Sequence, residues 1–213
     1  LTGGANASGQ SSTEADTSSA EQLPFQSRRE CHSFPRLESA RLLMVWPAAA
    51  AADPIGVAGA DLATTILSEG RRSRLVQRLR EDLQIVESID MDVTTLEQGS
   101  LVMLEACCPE EQLDRVEQEI HQELRRSAEE PLLEEELNRA LQLVGNGYRF
   151  SLEAPGSVAA CAGSQAVWGR QRQLLEPLHD LEQWSATSLQ EFVMQKLQPE
   201  QACTLIARPA ETP

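Results

Sequence analysis

The residues of this sequence with the chemistry to act on another molecule are three histidines, five cysteines and one dense run of arginines. Hydrolysis at zinc needs two imidazoles on one helical face with a carboxylate to activate water, as in H-x-x-E-H or H-E-x-x-H. Neither pattern occurs, and His32, His121 and His179 stand far apart. Cys31-His32 offers two ligand types with no second pair nearby. Glu117 and His121, one helical turn apart, make half a site and read as a solvated helix-face pair. A cysteine nucleophile needs a histidine base. Cys107, Cys108 and Cys203 fall instead in strand-like segments, where a small buried thiol is ordinary. Gly70-Arg71-Arg72-Ser73 lacks the further glycines and the lysine of a phosphate-cradling loop. The Glu-rich segment 110–136 lacks the alternating oxygen ligands and turn glycine of a calcium loop.

What stands out is Arg71, Arg72, Arg74, Arg78 and Arg80, followed by Glu87. One reading is a basic helix face pairing with acidic helices elsewhere in the chain. The other is an arginine whose planar fork binds a peptide carbonyl or carboxylate.

Composition narrows the partners. Acidic residues outnumber basic ones 33 to 18, for a net charge of -15, which argues against a nucleic-acid binder that must neutralise phosphates. The longest apolar run, 42–52, is interrupted by Pro47 and falls short of the roughly 20 residues that span a bilayer. A soluble protein is expected. Five cysteines without framework spacing favour a reducing setting, the cytoplasm, with the periplasm as the alternative. The first residue is Leu and no secretory signal is visible, so the chain is expected to begin inside a longer reading frame or after processing.

The elements that position the arginines follow from periodicity. Residues 1–37 are rich in Ser, Thr, Gly, Ala and Glu with little apolar content, and read as a flexible linker or tail. Arg41 to Trp46 is a continuous apolar run, suited to a strand covered by neighbours. Asp53-Pro54 supplies an N-cap and a first-turn proline for a helix ending near Gly70, and Ser73 opens a second amphipathic turn. Ile85, Ile89, Met91 and Val93 then alternate with Val86, Ser88, Asp90, Asp92 and Thr94, which places Glu87 on the apolar face of a strand over 85–95. Glu97-Gln98-Gly99 turns the chain into a second strand, 101–108, as an antiparallel hairpin.

Helical spacing returns at Leu113, Val116, Ile120 and Leu124, and again at Leu133, Leu137, Ala140, Leu141 and Val144 after a first-turn Pro131. Gly145-Asn146-Gly147 and Ala154-Pro155-Gly156 mark breaks or bends, and the small residues of 157–166 allow close packing. Thr187 with Gln190, and Ser188 with Glu191, offer capping boxes for a last helix, and 202–207 closes the chain as a strand. The sum is an α+β two-layer sandwich: a mainly antiparallel four-stranded sheet with helices on one face, in one domain over 38–213.

These pieces resemble a known family. From Arg41 to Pro209 the sequence is similar to the C-terminal lobe of pitrilysin/insulinase-family zinc metallopeptidases, which include mitochondrial processing peptidase. The resemblance rests on RLLMVWPA, on the D-P to G-R-R-S-R-L stretch ending at Leu75, and on L-R-E at 79–81. E-E-E-L-N-R-A at 134–140 and A-T-S-L-Q-E-F extend it to the closing strand. It implies paired lobes assembled into a chamber that encloses short polypeptides. The zinc and its H-x-x-E-H motif then belong to an N-terminal lobe outside this chain, with a second similar half or subunit completing a homo- or heterodimer. It also implies that Arg80 matches an arginine contacting substrate. The tyrosine that accompanies it, seven residues on, is here Glu87. Substrate-binding roles are therefore expected for Arg80 and Glu87, with no catalytic residue and no metal in the chain itself. The alternative the resemblance leaves is an inactive structural subunit supporting an active peptidase.

Overall fold

The computed structural model describes residues 25–210. Five strands form one sheet in the order β1-β5-β2-β4-β3. Its centre is β2 (Ala40–Ala48), paired antiparallel to β4 (Ser100–Cys108) on one side and to β5 (Cys203–Pro209) on the other. β3 (Ser88–Thr94) closes the expected hairpin with β4, Ile89 opposite Ala106 and Val93 opposite Val102.

The fifth strand corrects the expected count of four. β1 (Arg28–Phe34) lies inside the segment read as linker and pairs parallel to β5, Glu30 opposite Leu205. It has no apolar alternation because neither of its faces is covered, and all its residues except Glu30 are exposed. Backbone pairing holds it, and its Arg, Glu and His side chains suit a sheet edge. The rest of the expected linker, before residue 25, lies outside the described residues.

Alternation along the strands builds the core. On β2 and β4 the even positions Leu42, Met44, Trp46, Val102, Leu104 and Ala106 are buried under the helices. The odd positions Leu43, Val45, Leu101 and Met103 are half-buried or exposed, so the helices cover one face, as expected. Trp46 reaches across the layer and donates its indole N–H to the Gln198 carbonyl at 2.8 Å.

α1 (Pro54–Ser68) begins as its sequence dictates: Asp53 Oδ1 accepts from the Gly56 amide at 2.9 Å, with Pro54 in the first turn. Gly59 lets this helix lie against Trp184, where a Cβ would come within 2.4 Å of the indole ring. Trp184 locks the contact by donating to the Ile55 carbonyl at 3.0 Å. Beyond α1, Gly70 adopts φ +78°, the left-handed conformation that ends helices at low steric cost.

α2 (Leu113–Glu129) and α3 (Glu134–Ser151) bury the predicted stripes, including Val116, Ile120, Leu137 and Ala140. α3 starts three residues after Pro131 and runs straight through Gly145 and Gly147, so no break occurs there. Each glycine costs a helix about 1 kcal/mol relative to alanine, which eighteen residues of packed helix absorb. The break comes at 152–154, before α4 (Pro155–Val167). α4 corrects a second expectation: its small residues do not pack closely, and none of them is fully buried. α5 (Glu176–Glu182) and α6 (Ala186–Phe192) complete the layer. The cap of α6 is Ser185, which exchanges hydrogen bonds with Ser188, two residues ahead of the earliest expected box.

Candidate functional site

The arginine run sits on an unusual local structure. After Gly70, the Ser73 hydroxyl donates to the Gly70 carbonyl at 2.7 Å and the Ser73 carbonyl accepts from the Gln77 amide at 2.9 Å, starting the helix. Over Val76–Asp82 this becomes a π-helix. Leu83 N–H bonds to the Arg78 carbonyl at 3.1 Å, and Ile85 N–H reaches back to Leu79 at 3.0 Å. The widened turns keep Leu75, Val76 and Leu79 all buried, and the segment ends on Gln84 at φ +53°. π-turns recur at functional sites, and this one carries Arg80 into solvent.

Most of the arginines are engaged in the fold. Arg74 makes paired bonds to both oxygens of Glu136 on α3 at 2.7 Å and donates to Ser127 of α2 at 3.1 Å. Burial pushes the Glu136 carboxyl up, but the Arg74 hydrogen bonds and charge, with the Leu133 amide and Arg139, together outweigh it and hold it below the usual carboxylate range. Arg78 bonds Glu119 of α2 at 2.9 Å, and Arg71 donates to Glu81 at 2.6 Å. The reading of a basic face pairing with acidic helices therefore accounts for two of the five, Arg74 and Arg78, while Arg71 pairs within its own segment. Among the described residues Arg80 bonds only its neighbour Glu81, at 3.2 Å.

Glu87 is not where strand alternation put it. β3 begins at Ser88, one residue later, and Glu87 is exposed. Its amide still bonds the Cys107 carbonyl at 2.8 Å, but its carboxylate turns outward to accept from Ser39 Oγ at 2.8 Å and Cys107 Sγ at 3.4 Å. Burial, followed by the bond to Glu87, pushes the Cys107 thiol up, away from nucleophilic use. Among the described residues no hydrogen bond or ion pair joins Arg80 to Glu87, and no arginine pairs with Glu87. The structure does not bring the two predicted site residues together.

The metal candidates fare no better. Successive residues of a strand face opposite ways, so Cys31 and His32 in β1 cannot share an ion. His32 bonds Glu30 at 3.2 Å. Glu117 is taken by Arg29 through paired bonds at 2.8 and 2.9 Å. His121 is left with a buried Nε2 that has no partner, and burial lowers its pKa. Among the described residues no group of three or more His, Cys, Asp or Glu side chains is placed to hold a metal ion. This donor set does not fit zinc. No described helix is long and apolar enough to cross a membrane.

A feature that motif reasoning passed over is a hollow between α1, α3, α4 and α5, with Asp61 in its wall. The one signal available was an aspartate within the apolar stripe of α1, between Ala60 and Leu62.

Comparison with known proteins settles the kind of lobe this is. The family profile described as the peptidase M16 inactive domain matches residues 13–144, more than half of the sequence. The chain belongs to this family. It is a non-catalytic lobe of the M16 peptidase type. No curated protein sequence matches it. Among solved structures, it superposes on a protease from Helicobacter pylori with TM-score 0.77 at 16% identity, covering 88% of this chain and 46% of that one. The peptidase M16 inactive domain from Pseudomonas fluorescens gives 0.77 at 14% identity, with 89% and 45% covered. The inactive peptidase domain of a candidate zinc protease from Bordetella parapertussis gives 0.74 at 20% identity, with 84% and 96% covered. These identities establish a shared fold. This M16 lobe thus spans about half the length of the first two and nearly all of the third.

Proposed function

We propose that this chain is the non-catalytic lobe of a zinc-dependent metallopeptidase, shaping a chamber for peptides or short polypeptides against a zinc-bearing lobe. The observation that carries the reading is the match to nearly the whole of the Bordetella inactive domain, whose parent is described as a candidate zinc protease. Two things support it further: the donor set does not fit zinc, and the fold recurs as about half of longer chains. Zinc then sits in the partner lobe, with a second similar half completing the assembly. Arg80, exposed on the π-helix and tied only to Glu81, is the group we assign to a peptide carbonyl or carboxylate. Five unpaired thiols support a cytoplasmic setting.

Zinc content and peptide hydrolysis, measured on this chain alone and together with the zinc-bearing lobe, test the proposal. Both are expected only in the combined sample. In that sample Arg80→Ala is expected to lower peptide turnover by about tenfold, the scale of one lost charge-assisted bond, with folding unchanged. Stoichiometric zinc and hydrolysis by this chain alone would overturn the reading.

A second reading is favoured by one observation. Glu87 stands where the resemblance implies a tyrosine, and its carboxylate is bonded to Ser39 and Cys107. On that reading the lobe is an inactive structural subunit beside an active peptidase. Hydrolysis by the combined sample that is unchanged by Arg80→Ala selects it.

A further inference from the structure

The hollow between α1, α3, α4 and α5 has a cavity volume of about 170 Å³ and opens to solvent. Its wall is mostly apolar: Val57 and Ala58 from α1, Val144 from α3, Leu181 from α5 and the ring of Trp168. Two acceptors interrupt that wall. The carboxylate of Asp61 accepts no hydrogen bond and has no ion-pair partner among the described residues. Gln165 Oε1, on α4, is fully buried and likewise has no donor. An unpaired buried acceptor is uncommon and costly, and Gln165 Oε1 together with the unpaired, half-buried carboxylate of Asp61 asks for a donor from outside.

The nearby cations do not answer. Arg172 is committed to Asp180 at 2.7 Å and Glu176 at 3.0 Å. Arg170 stacks on Trp168, 5.0 Å from the ring centroid, and donates to the Ala51 carbonyl. The Tyr148 hydroxyl donates to the Leu174 carbonyl at 2.6 Å. A second, polar hollow of about 250 Å³, lined by Glu69 and Asp92 among others, meets the first at Asp61 and Val144. Asp92 adds negative charge at Asp61, and burial with this charge raises the Asp61 carboxyl to about 6. No arginine offsets it.

We infer that this hollow binds a cationic nitrogen group carried on an aliphatic stem, with the head between Asp61 and Gln165 Oε1 and the stem along Val57, Val144 and Leu181. An arginine or lysine side chain of a polypeptide has this chemistry, and so does a free alkylguanidine or alkylamine. An apolar wall with an unpaired, half-buried carboxylate matches such amphipathic side chains, which bury the stem and pair the head. The inference does not depend on the peptidase reading, since the hollow contains neither Arg80 nor Glu87.

The test uses the 213-residue chain, calorimetric titration and Trp168 fluorescence. The probes are n-butylguanidinium, n-butylammonium and neutral n-pentanol of similar length. Saturable binding of the two cations is expected near the millimolar range, about tenfold tighter than the alcohol. Asp61→Asn keeps the shape and removes the charge, and is expected to weaken cation binding by about tenfold or more. Gln165→Leu, on a helix with no fully buried residue, is expected to weaken it about threefold to tenfold. The capped pentapeptide Ala-Ala-Arg-Ala-Ala and its citrulline counterpart identify the source. Tighter binding of the arginine peptide than of n-butylguanidinium assigns the site to polypeptide side chains, and weaker binding assigns it to free alkyl cations. Pentanol binding as tightly as the cations, unchanged cation affinity in Asp61→Asn, or no saturation below about 100 mM overturns the proposal.

Discussion

At the scale of single residues, Asp61 has the clearest consequence. Its carboxyl is raised to about 6 in the folded chain, against 3.8 for an unburied aspartate, first by burial and then by Asp92. Below pH 3.8 both states hold the proton and the site contributes nothing to pH dependence. Between 3.8 and 6 the unfolded chain ionises while the folded chain stays protonated, so stability falls as pH rises. Above 6 the full penalty is present, on the order of 2–3 kcal/mol. Asp61→Asn cannot ionise. Its stability relative to the natural chain is expected to increase from pH 4 to pH 7.5 by about 2 kcal/mol, read as a difference in urea midpoints at the two pH values. Equal differences at both pH values would mean that the carboxylate already has a cationic partner. The same substitution is predicted to lose cation binding, so a stable variant that no longer binds separates recognition from folding.

At the scale of elements, the sheet edge and the arginine ladder decide what the sequence could reveal. β2, α1 and the β3–β4 hairpin were legible because local chemistry and periodicity agree: Asp53-Pro54 caps, Gly70 terminates, and even positions alternate inward. β1 was not legible, because an edge strand exposed on both faces has no apolar pattern to read. Glu87 was placed on the buried face by extending strand parity one residue past the start of β3, where the ladder no longer fixes the side chain. The partners of the arginines were also hidden. Arg74 and Glu136 are 62 residues apart, and only the folded layer brings them together.

Their pairing ties the π-helix to α2 and α3 at once. Arg74→Met is expected to cost about 2–4 kcal/mol, because Glu136 and Ser127 lose their partner in a half-buried setting, while Arg71→Met at an exposed pair is expected to leave stability nearly unchanged. Urea melts of both variants check the contrast, and equal costs would show that burial does not govern these pairs. β1 has a matching test. A chain beginning at residue 38 loses the parallel ladder to β5 and the Arg29–Glu117 bonds. It is expected to be less stable than one beginning at residue 25 by about 1–3 kcal/mol and to self-associate through the bared β5 edge. Light scattering and urea melts distinguish the two chains. Identical behaviour would mean that β1 adds no stability to the sheet.

At the scale of the whole molecule, the surplus of carboxylates sets the response to salt. A net charge of -15 repels itself more strongly in the compact state than in the expanded one. Against this stand the ion pairs, which screening also weakens. Arg74–Glu136 and Arg172–Asp180, with side chains between 9% and 21% exposed, are the best shielded from salt. The exposed pairs, such as Arg28–Glu30 and Arg125–Glu200, contribute at most about 1 kcal/mol each at any salt concentration and usually less. Long-range repulsion therefore has more to lose. Raising sodium chloride from about 0.02 to 0.3 M shortens the screening length from roughly 20 Å to below 8 Å, and is expected to raise stability by about 1 kcal/mol. Urea midpoints across that range measure it. A fall in stability would mean that the exposed arginine pairs outweigh the repulsion and hold the helix layer together. An acidic lobe stabilised by counter-charge is also one that gains from a cationic ligand or a basic partner surface, which places the Asp61 hollow and the charge of the whole chain under the same electrostatic rule.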